Sequence, residues 1–371
     1  MTEKVKVVYI ISNINKAVAF EWIVEDLSDR VEFEFIILNK EKETDLNRFL
    51  IERNIKVVFH QLKGKFHLII IWLKLLYYFI NRRPQIIHTH LFEASLIGLS
   101  AAKLAGVKKR IYTRHHSTFH WEYYPKAVKY DRIINFCATN IIAISENVRK
   151  VLNEKENVSG SKVALVHHGF RLEKFRNVDK VEKEKLISKY NIPKSKKVIG
   201  VVSRFIKLKG IEYIIEAFRK LNADGNYFLV LANANGSDKA IIQKKLQTLN
   251  KSDYLEIEFE NNLFALYHLF DFYIHVPINN KVEAFGQTYI ESLAAGIPSI
   301  FTISGVANEF IVDRQNALVV PYKNSEQIVK SIQLLETDEL LRSKIIVQGF
   351  EDVKQFTLNK MIEKLYKIYT H

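Results

Sequence analysis

The sequence predicts an α/β protein made of two doubly wound parallel sheets in succession. Short β-branched and aromatic runs alternate with longer helical patterns throughout, and the alternation restarts after Ile192-Pro193. A length of 371 residues also suits two domains. In the first series the strand-like runs are Lys6–Ser12, Val31–Leu38, Lys56–His60, Gln85–Thr89, Lys109–Thr113, Asn140–Ile144 and Ala164–His167. Helical patterns fall between them, notably Ala94–Ala105 and Ser145–Val151. Asp179–Tyr190 is charged and reads as a linker with the first helix of the second series. The later strands are Lys197–Ser203, Tyr227–Ala232, Leu255–Glu258, Phe272–His275, Ser299–Thr302 and Leu318–Val320. Gly210–Leu221 is amphipathic, with Ile211, Ile214, Ile215 and Phe218 on one face. Ligands of such sheets bind beyond the carboxyl ends of the strands, so two of them imply an interdomain cleft.

The composition, 48% hydrophobic and 26% charged, is globular and excludes collagen-like and wholly disordered chains. One cysteine, Cys137, excludes an intramolecular disulfide framework and a Cys-based zinc site, and fits a reducing cytosol. The opening carries no secretory pattern: Lys4 and Lys6 lead into a short apolar run, Val7–Ile11, that reads as the first strand. The longest apolar stretch, Phe66–Ile80, is interrupted by His67 and Lys74. As a helix it would span about 22 Å against a hydrocarbon core of about 30 Å, so it is not expected to cross a membrane.

The formal net charge is +14, and it is unevenly placed. Residues 63–132 hold 13 basic and 3 acidic side chains, overlapping the Phe66–Ile80 stretch. Basic residues beside aromatic and apolar ones suit an anionic membrane surface. Nucleic acid would attract the same charge, and a solvated basic surface is the bland alternative.

Two segments carry the chemistry. In VPINNKVEAFGQTYIESLAAGIPSI, Val276 to Ile300, Glu283 ends a strand-to-helix loop and Gly286 precedes a helix running to about Ala295. A helix start after glycine presents N–H groups and the positive dipole end, which suits a phosphate. Glu291 lies on the early turns of that helix, where it can accept from sugar hydroxyls. In VVSRFIKLKG, Val201 to Gly210, Arg204 follows a strand and Lys209 precedes a helix. Two cations at a strand end suit a leaving diphosphate, although either alone is more often a surface charge.

These segments resemble the family 4 glycosyltransferases, which have the GT-B fold of two facing Rossmann-like domains. The resemblance extends to His90 after its strand, TRHHS (Thr113–Ser117), AISENVRKVL (Ala143–Leu152), VHHGFRLEKF (Val166–Phe175) and SGVANEFI (Ser304–Ile311). It implies an N-terminal acceptor domain over 1–178, a nucleotide-sugar donor domain over 179–352, and a segment 353–371 whose helix crosses back to the first domain. It further implies that Arg204 and Lys209 neutralise the nucleotide diphosphate. Glu291 would hold the ribose, Glu283 the donor sugar, and Phe285, Gly286 and Gln287 would offer backbone N–H groups. His115 matches the family's histidine beside the donor sugar, with its neighbour His116 as the competing assignment.

The chain departs from the family at three places. The loop after the first strand, SNINKAVAFEW (Ser12–Trp22), has no glycine, which leaves Asn13, Asn15 and Lys16, with His90 and His116, as candidate acceptor contacts. LANANGSDK (Leu231–Lys239) stands where the family has a glycine-containing turn, and His168 replaces an asparagine. No Asp-x-Asp pair is present to hold a divalent ion against a sugar nucleotide. His88-x-His90 is more often packing than a metal site, so no metal and no cofactor beyond the nucleotide sugar is expected.

The expected activity is that of a retaining, metal-independent hexosyltransferase using a nucleotide sugar and a sugar or lipid-linked acceptor hydroxyl, in envelope polysaccharide or glycolipid synthesis. Alternatives are a GT-B sugar-nucleotide epimerase, a donor-binding scaffold and a basic nucleic-acid-binding protein. The last gives Glu283 and Glu291 no role, so no nucleic-acid partner is expected. Location would be cytoplasmic, peripheral on the inner membrane face, with Lys63, Lys65, Trp72, Arg82 and Arg83 docking on anionic lipid.

Overall fold

The computed structural model describes residues Lys4–His371, apart from the side chain of Lys65. Its strands are β1 (Val5–Ser12), β2 (Val31–Asn39), β3 (Lys56–Gln61), β4 (Ile86–His90), β5 (Lys109–Arg114), β6 (Asn140–Ala143) and β7 (Val163–Leu165). They continue as β8 (Lys197–Val202), β9 (Tyr227–Ala232), β10 (Tyr254–Ile257), β11 (Phe272–His275), β12 (Ser299–Phe301) and β13 (Leu318–Val319). The first helices are α1 (Val18–Leu27), α2 (Asp45–Glu52), α3 (Lys65–Arg82), α4 (Phe92–Leu104), α5 (Phe119–Tyr123), α6 (Val128–Cys137) and α7 (Glu146–Lys150). Next come α8 (Leu172–Arg176), α9 (Lys180–Tyr190), α10 (Ile211–Leu221), α11 (Lys239–Leu246), α12 (Leu263–Tyr267) and α13 (Gln287–Ala294). The last are α14 (Ala307–Phe310), α15 (Ser325–Thr337), α16 (Glu339–Val353) and α17 (Leu358–Thr370).

The chain forms two compact units. One runs up to Phe170 and takes in Leu358–His371; the other is Arg171–Thr357. The divisions therefore fall at 170/171 and 357/358 rather than at 178/179 and 352/353. The short helix α8 packs on α12 and α13, which draws Arg171–Arg176 into the second unit.

The first unit holds a seven-stranded parallel sheet in the order β3-β2-β1-β4-β5-β6-β7. Its central strand β1 pairs with β2 and β4 and is buried from Val7 to Ser12, which explains its unbroken apolar run. Each large aliphatic side chain there, such as Ile10 or Ile11, contributes roughly 1.5–3 kcal/mol by leaving water. The last helix, α17, buries Leu358, Met361, Ile362, Leu365 and Tyr369 and packs on α1 and β1. Tyr369 Oη lies 2.5 Å from Tyr9 Oη and 2.8 Å from His88 Nδ1, so the helix is pinned to the sheet centre. Gly169 permits the approach, since a Cβ there would stand 2.7 Å from Leu358 Cα.

The second unit holds a six-stranded parallel sheet, β10-β9-β8-β11-β12-β13. Its core joins β8, β9 and β11 to α10, whose Ile211, Ile214, Ile215, Ala217 and Phe218 are buried. All the expected strands form, with ends shifted by a residue or two, as is usual where hydrogen bonding frays.

Candidate active site

In the second unit, β8 and β11 are adjacent, so the loops after them converge. Gly210 has φ +66°, and a Cβ on it would lie 2.2 Å from the Val276 carbonyl oxygen. Only glycine allows the start of α10 to press against the end of β11 in this way. The result carries Lys209 to Glu283: the Lys209 Nζ donates to Glu283 Oε1, and His275 Nε2 lies 3.1 Å from the same oxygen. Glu283 is buried, and its backbone N–H donates to Ser304 Oγ. Burial by itself would raise the Glu283 carboxyl, but the Lys209 charge and the His275 contact outweigh it. The group is held well below the usual carboxylate range.

Gly286, at φ +89°, caps α13, whose first N–H groups have no acceptor within the helix. Phe285 is buried and its carbonyl accepts from Val306 N–H at 2.8 Å, while Gln287 is exposed. Gly305 closes this loop pair, since a Cβ there would come 2.5 Å from the Phe285 carbonyl oxygen. Gly236 does the same for the turn after β9, against the Phe205 carbonyl oxygen at 2.4 Å, so LANANGSDK does supply a close-approach glycine. Glu291 is buried one face further in, accepting from Tyr267 Oη at 2.7 Å. Burial raises its carboxyl to about 7, with the Tyr267 hydrogen bond a smaller opposing effect. Arg204 projects into solvent with no side-chain hydrogen bond or ion pair among the described residues. Lys209 and Glu283 are thus brought together, Gly286 borders them, and Arg204 stands apart.

In the first unit, the adjacent histidines after β5 part company. His115 Nε2 lies 3.1 Å from His90 Nδ1, and its ring stacks on His168 at 5.7 Å. Burial, with neighbouring His116, lowers the His115 imidazole to about 4, so it is neutral near pH 7. His116 turns the other way, its Nε2 3.3 Å from Asp131 Oδ1. His90 is 4% exposed and partners His115 through its Nδ1. His116 stands in the cluster with Asp131 and His120. His88 is not a metal ligand in this arrangement, because Tyr369 and Thr113 occupy both ring nitrogens at 2.8 and 2.7 Å. In the glycine-free loop after β1, Asn13 takes the left-handed conformation at φ +54°, a role asparagine tolerates. Asn15 and Lys16 are exposed beside it.

The helix α3 turns Ile71, Leu75 and Phe79 inward. Its other side leaves Phe66 85%, Tyr77 72% and Ile69 60% exposed, with Ile70, Leu73 and Ile80 also open to solvent. Lys63, Arg82 and Arg83 flank this face and are exposed. Trp72 does not belong to it: its Nε1–H donates to Ser100 Oγ on α4 at 3.0 Å, which ties the indole to the neighbouring helix. Lys65 opens α3, and its side chain lies outside the described residues. No helix among the described residues is long and apolar enough to cross a membrane.

Sequence reasoning missed one cluster. His116, His120 and Asp131 bring a ligand atom each to within 4.8 Å of one another. The signal was the His116-x3-His120 spacing, but Asp131 is joined to it only by the packing of α6.

Two parallel doubly wound sheets, with Lys209, Glu283 and the Gly286 start of α13 gathered by the loops after β8 and β11, define the class of nucleotide-binding α/β folds. The family model for glycosyl transferases group 1 matches residues 182–352, and that for glycosyltransferase family 4 matches residues 23–174. The capsular polysaccharide biosynthesis glycosyltransferase CapM of Staphylococcus aureus is 28% identical over 316 residues, 80% of this chain and 79% of its own. The alpha-monoglucosyldiacylglycerol synthase of Acholeplasma laidlawii is 23% identical over 69% of this chain and 68% of its own. Anabaena HepE, solved in complex with UDP and glucose, superimposes with a TM-score of 0.85 at 15% identity, over 99% of both chains. The fold is that of the GT-B glycosyltransferases. The chain belongs to glycosyltransferase family 4 and is a glycosyltransferase.

Proposed function

We propose that the enzyme moves a hexosyl group from a nucleotide-sugar donor to an acceptor hydroxyl with retention at the anomeric carbon. The observation that carries this reading is the Lys209–Glu283 pair beside the Gly286 start of α13. A buried carboxylate that stays ionised suits sugar hydroxyls, and a cation next to a helix N-terminus suits a diphosphate. Arg204, unpaired and exposed, is free to close on the same phosphates. Glu291 takes the ribose hydroxyls. As the bond from the anomeric carbon to the diphosphate oxygen breaks, the bond to the acceptor oxygen forms on the same face, and the acceptor proton passes to the departing phosphate oxygen. Lys209, Arg204 and the α13 dipole stabilise the charge that grows on the leaving group, so no metal is needed at the diphosphate.

Names of relatives support envelope polysaccharide or glycolipid synthesis as the setting, since one acts in capsule formation and another makes a glucosyl diacylglycerol. The open apolar side of α3, with Lys63, Arg82 and Arg83 around it, favours peripheral binding to an anionic inner membrane face and a lipid-linked acceptor. The test is a thermal-shift panel of sugar nucleotides, followed by product analysis with sugar and polyprenyl-linked acceptors. Free nucleoside diphosphate formed together with glycosylated acceptor supports the reading. An isomerised sugar nucleotide without transfer would establish an epimerase instead.

A further inference from the structure

The buried cluster beneath the β5 loop has a charge imbalance. Arg114, Asp131 and Glu156 have side chains with no solvent exposure. Glu156 takes the Arg114 guanidinium through both oxygens, at 2.7 and 3.3 Å, and also accepts from Asn135 and Trp121. One cation thus faces two carboxylates, so these three side chains together carry one excess negative charge. An uncompensated charge out of water is costly, so a counter-charge is required.

The atoms around Asp131 show where that counter-charge fits. His120 Nδ1 lies 2.7 Å from Asp131 Oδ2, and His116 Nε2 lies 3.3 Å from Asp131 Oδ1. The second contact lacks hydrogen-bonding geometry, so His116 Nε2 and Asp131 Oδ1 are both buried without a hydrogen-bond partner. Arg114 Nη1 is 3.4 Å from Oδ1, but its hydrogen bonds go to Glu156 and the His116 carbonyl. Two imidazole nitrogens and a carboxylate oxygen lie within 4.8 Å of one another. A tetrahedral ion with ligand bonds of about 2.0–2.2 Å needs its ligand atoms roughly 3.3 Å apart. The contacts of 2.7 and 3.3 Å reach different oxygens of Asp131 within a 4.8 Å cluster, so side-chain rotations are needed to bring the three atoms to that spacing.

We propose that His116, His120 and Asp131 bind one divalent transition-metal ion, with Zn2+ the best match to two imidazoles and a carboxylate. The ion stitches the loop after β5 to α6, and through His116 it fixes the neighbouring His115. It is separate from the diphosphate chemistry, which the second unit's cations serve. The site lies within the first unit, so it stands or falls independently of the donor reading.

The test uses the full chain after chelator treatment and desalting, titrated with ZnCl2 and, as a spectroscopic probe, CoCl2. Wild type should take up one equivalent by calorimetry and elemental analysis, gain thermal stability, and show visible Co2+ absorption of a low-coordinate nitrogen–oxygen site. A His116→Gln/His120→Gln variant, checked by circular dichroism for an intact fold, should lose affinity by more than about 100-fold, beyond the 10–100-fold typical of losing an outer-shell partner. Asp131→Asn should do the same, but it also changes the charge balance around Arg114, so the histidine variant is the deciding one. Absence of stoichiometric Zn2+ and Co2+ uptake by wild type would overturn the proposal. Equal uptake by the folded histidine variant would overturn it too, since the metal would then sit on other histidines.

Discussion

Lys209 and Glu283 lie 74 positions apart in the chain and share a direct ion pair, the lysine donating from Nζ to Oε1 of the glutamate. The pair preorganises both groups: the carboxylate stays ionised although buried, and the ammonium is held at the mouth of α13. Preorganised charge of this kind acts on a transition state without rearrangement.

Lys209→Ala and Arg204→Ala should each lower kcat, because the charge they meet grows as the diphosphate departs. Steady-state kinetics should show a loss of about 2–4 kcal/mol in transition-state stabilisation for each. If either variant raises only the donor KM with kcat intact, that residue binds the ground state and takes no part in leaving-group stabilisation.

Glu283→Ala and Glu291→Ala should separate in calorimetry. The Glu291 variant should bind both the free nucleoside diphosphate and the sugar nucleotide more weakly, through lost ribose contacts. The Glu283 variant should bind the free nucleotide normally and lose only the sugar-dependent part, with turnover. Equal losses by both variants toward both ligands would refute the division of roles.

Glu291 also makes stability depend on pH. Its carboxyl is raised from an ordinary 4.5 to about 7 in the folded protein, so the folded state holds the proton more tightly than the unfolded state. The stability this confers is complete below pH 4.5 and is lost as pH rises through 7, a fall of up to about 3 kcal/mol. Urea denaturation at pH 5 and pH 8 should show a smaller difference for Glu291→Gln than for wild type. The same pH difference in both proteins would show that Glu291 does not titrate in this window.

Flotation with anionic and neutral liposomes tests α3. Wild type should float with anionic vesicles at low salt and release as salt screens the charges. Lys63/Arg82/Arg83→Glu should remove binding, since each nearby cation contributes about 1 kcal/mol. A second variant, Phe66/Ile69/Tyr77→Ser, should weaken binding at low and high salt alike. Wild type that stays with the free protein at low salt would point to a water-borne acceptor.

By itself the sequence determined the strands and the loops that follow them. Tyr227–Ala232 and Phe272–His275 form over the very residues that read as strands, because a strand buried on both faces must be an unbroken apolar run. Gly210 and Gly286 marked the turns that open α10 and α13, because each takes a left-handed conformation and a side chain on either would strike its neighbour. Tertiary packing decided what each polar group faces. His115 and His116 are adjacent and chemically identical, yet β4 and His168 claim the first while α6 presents Asp131 to the second. Trp72 carried the signature of a membrane anchor until Ser100 on α4 took its N–H. The Lys209–Glu283 pair and the His116–His120–Asp131 cluster also arise from residues brought close by the folded chain, whereas periodicity reports only on residues a few positions apart.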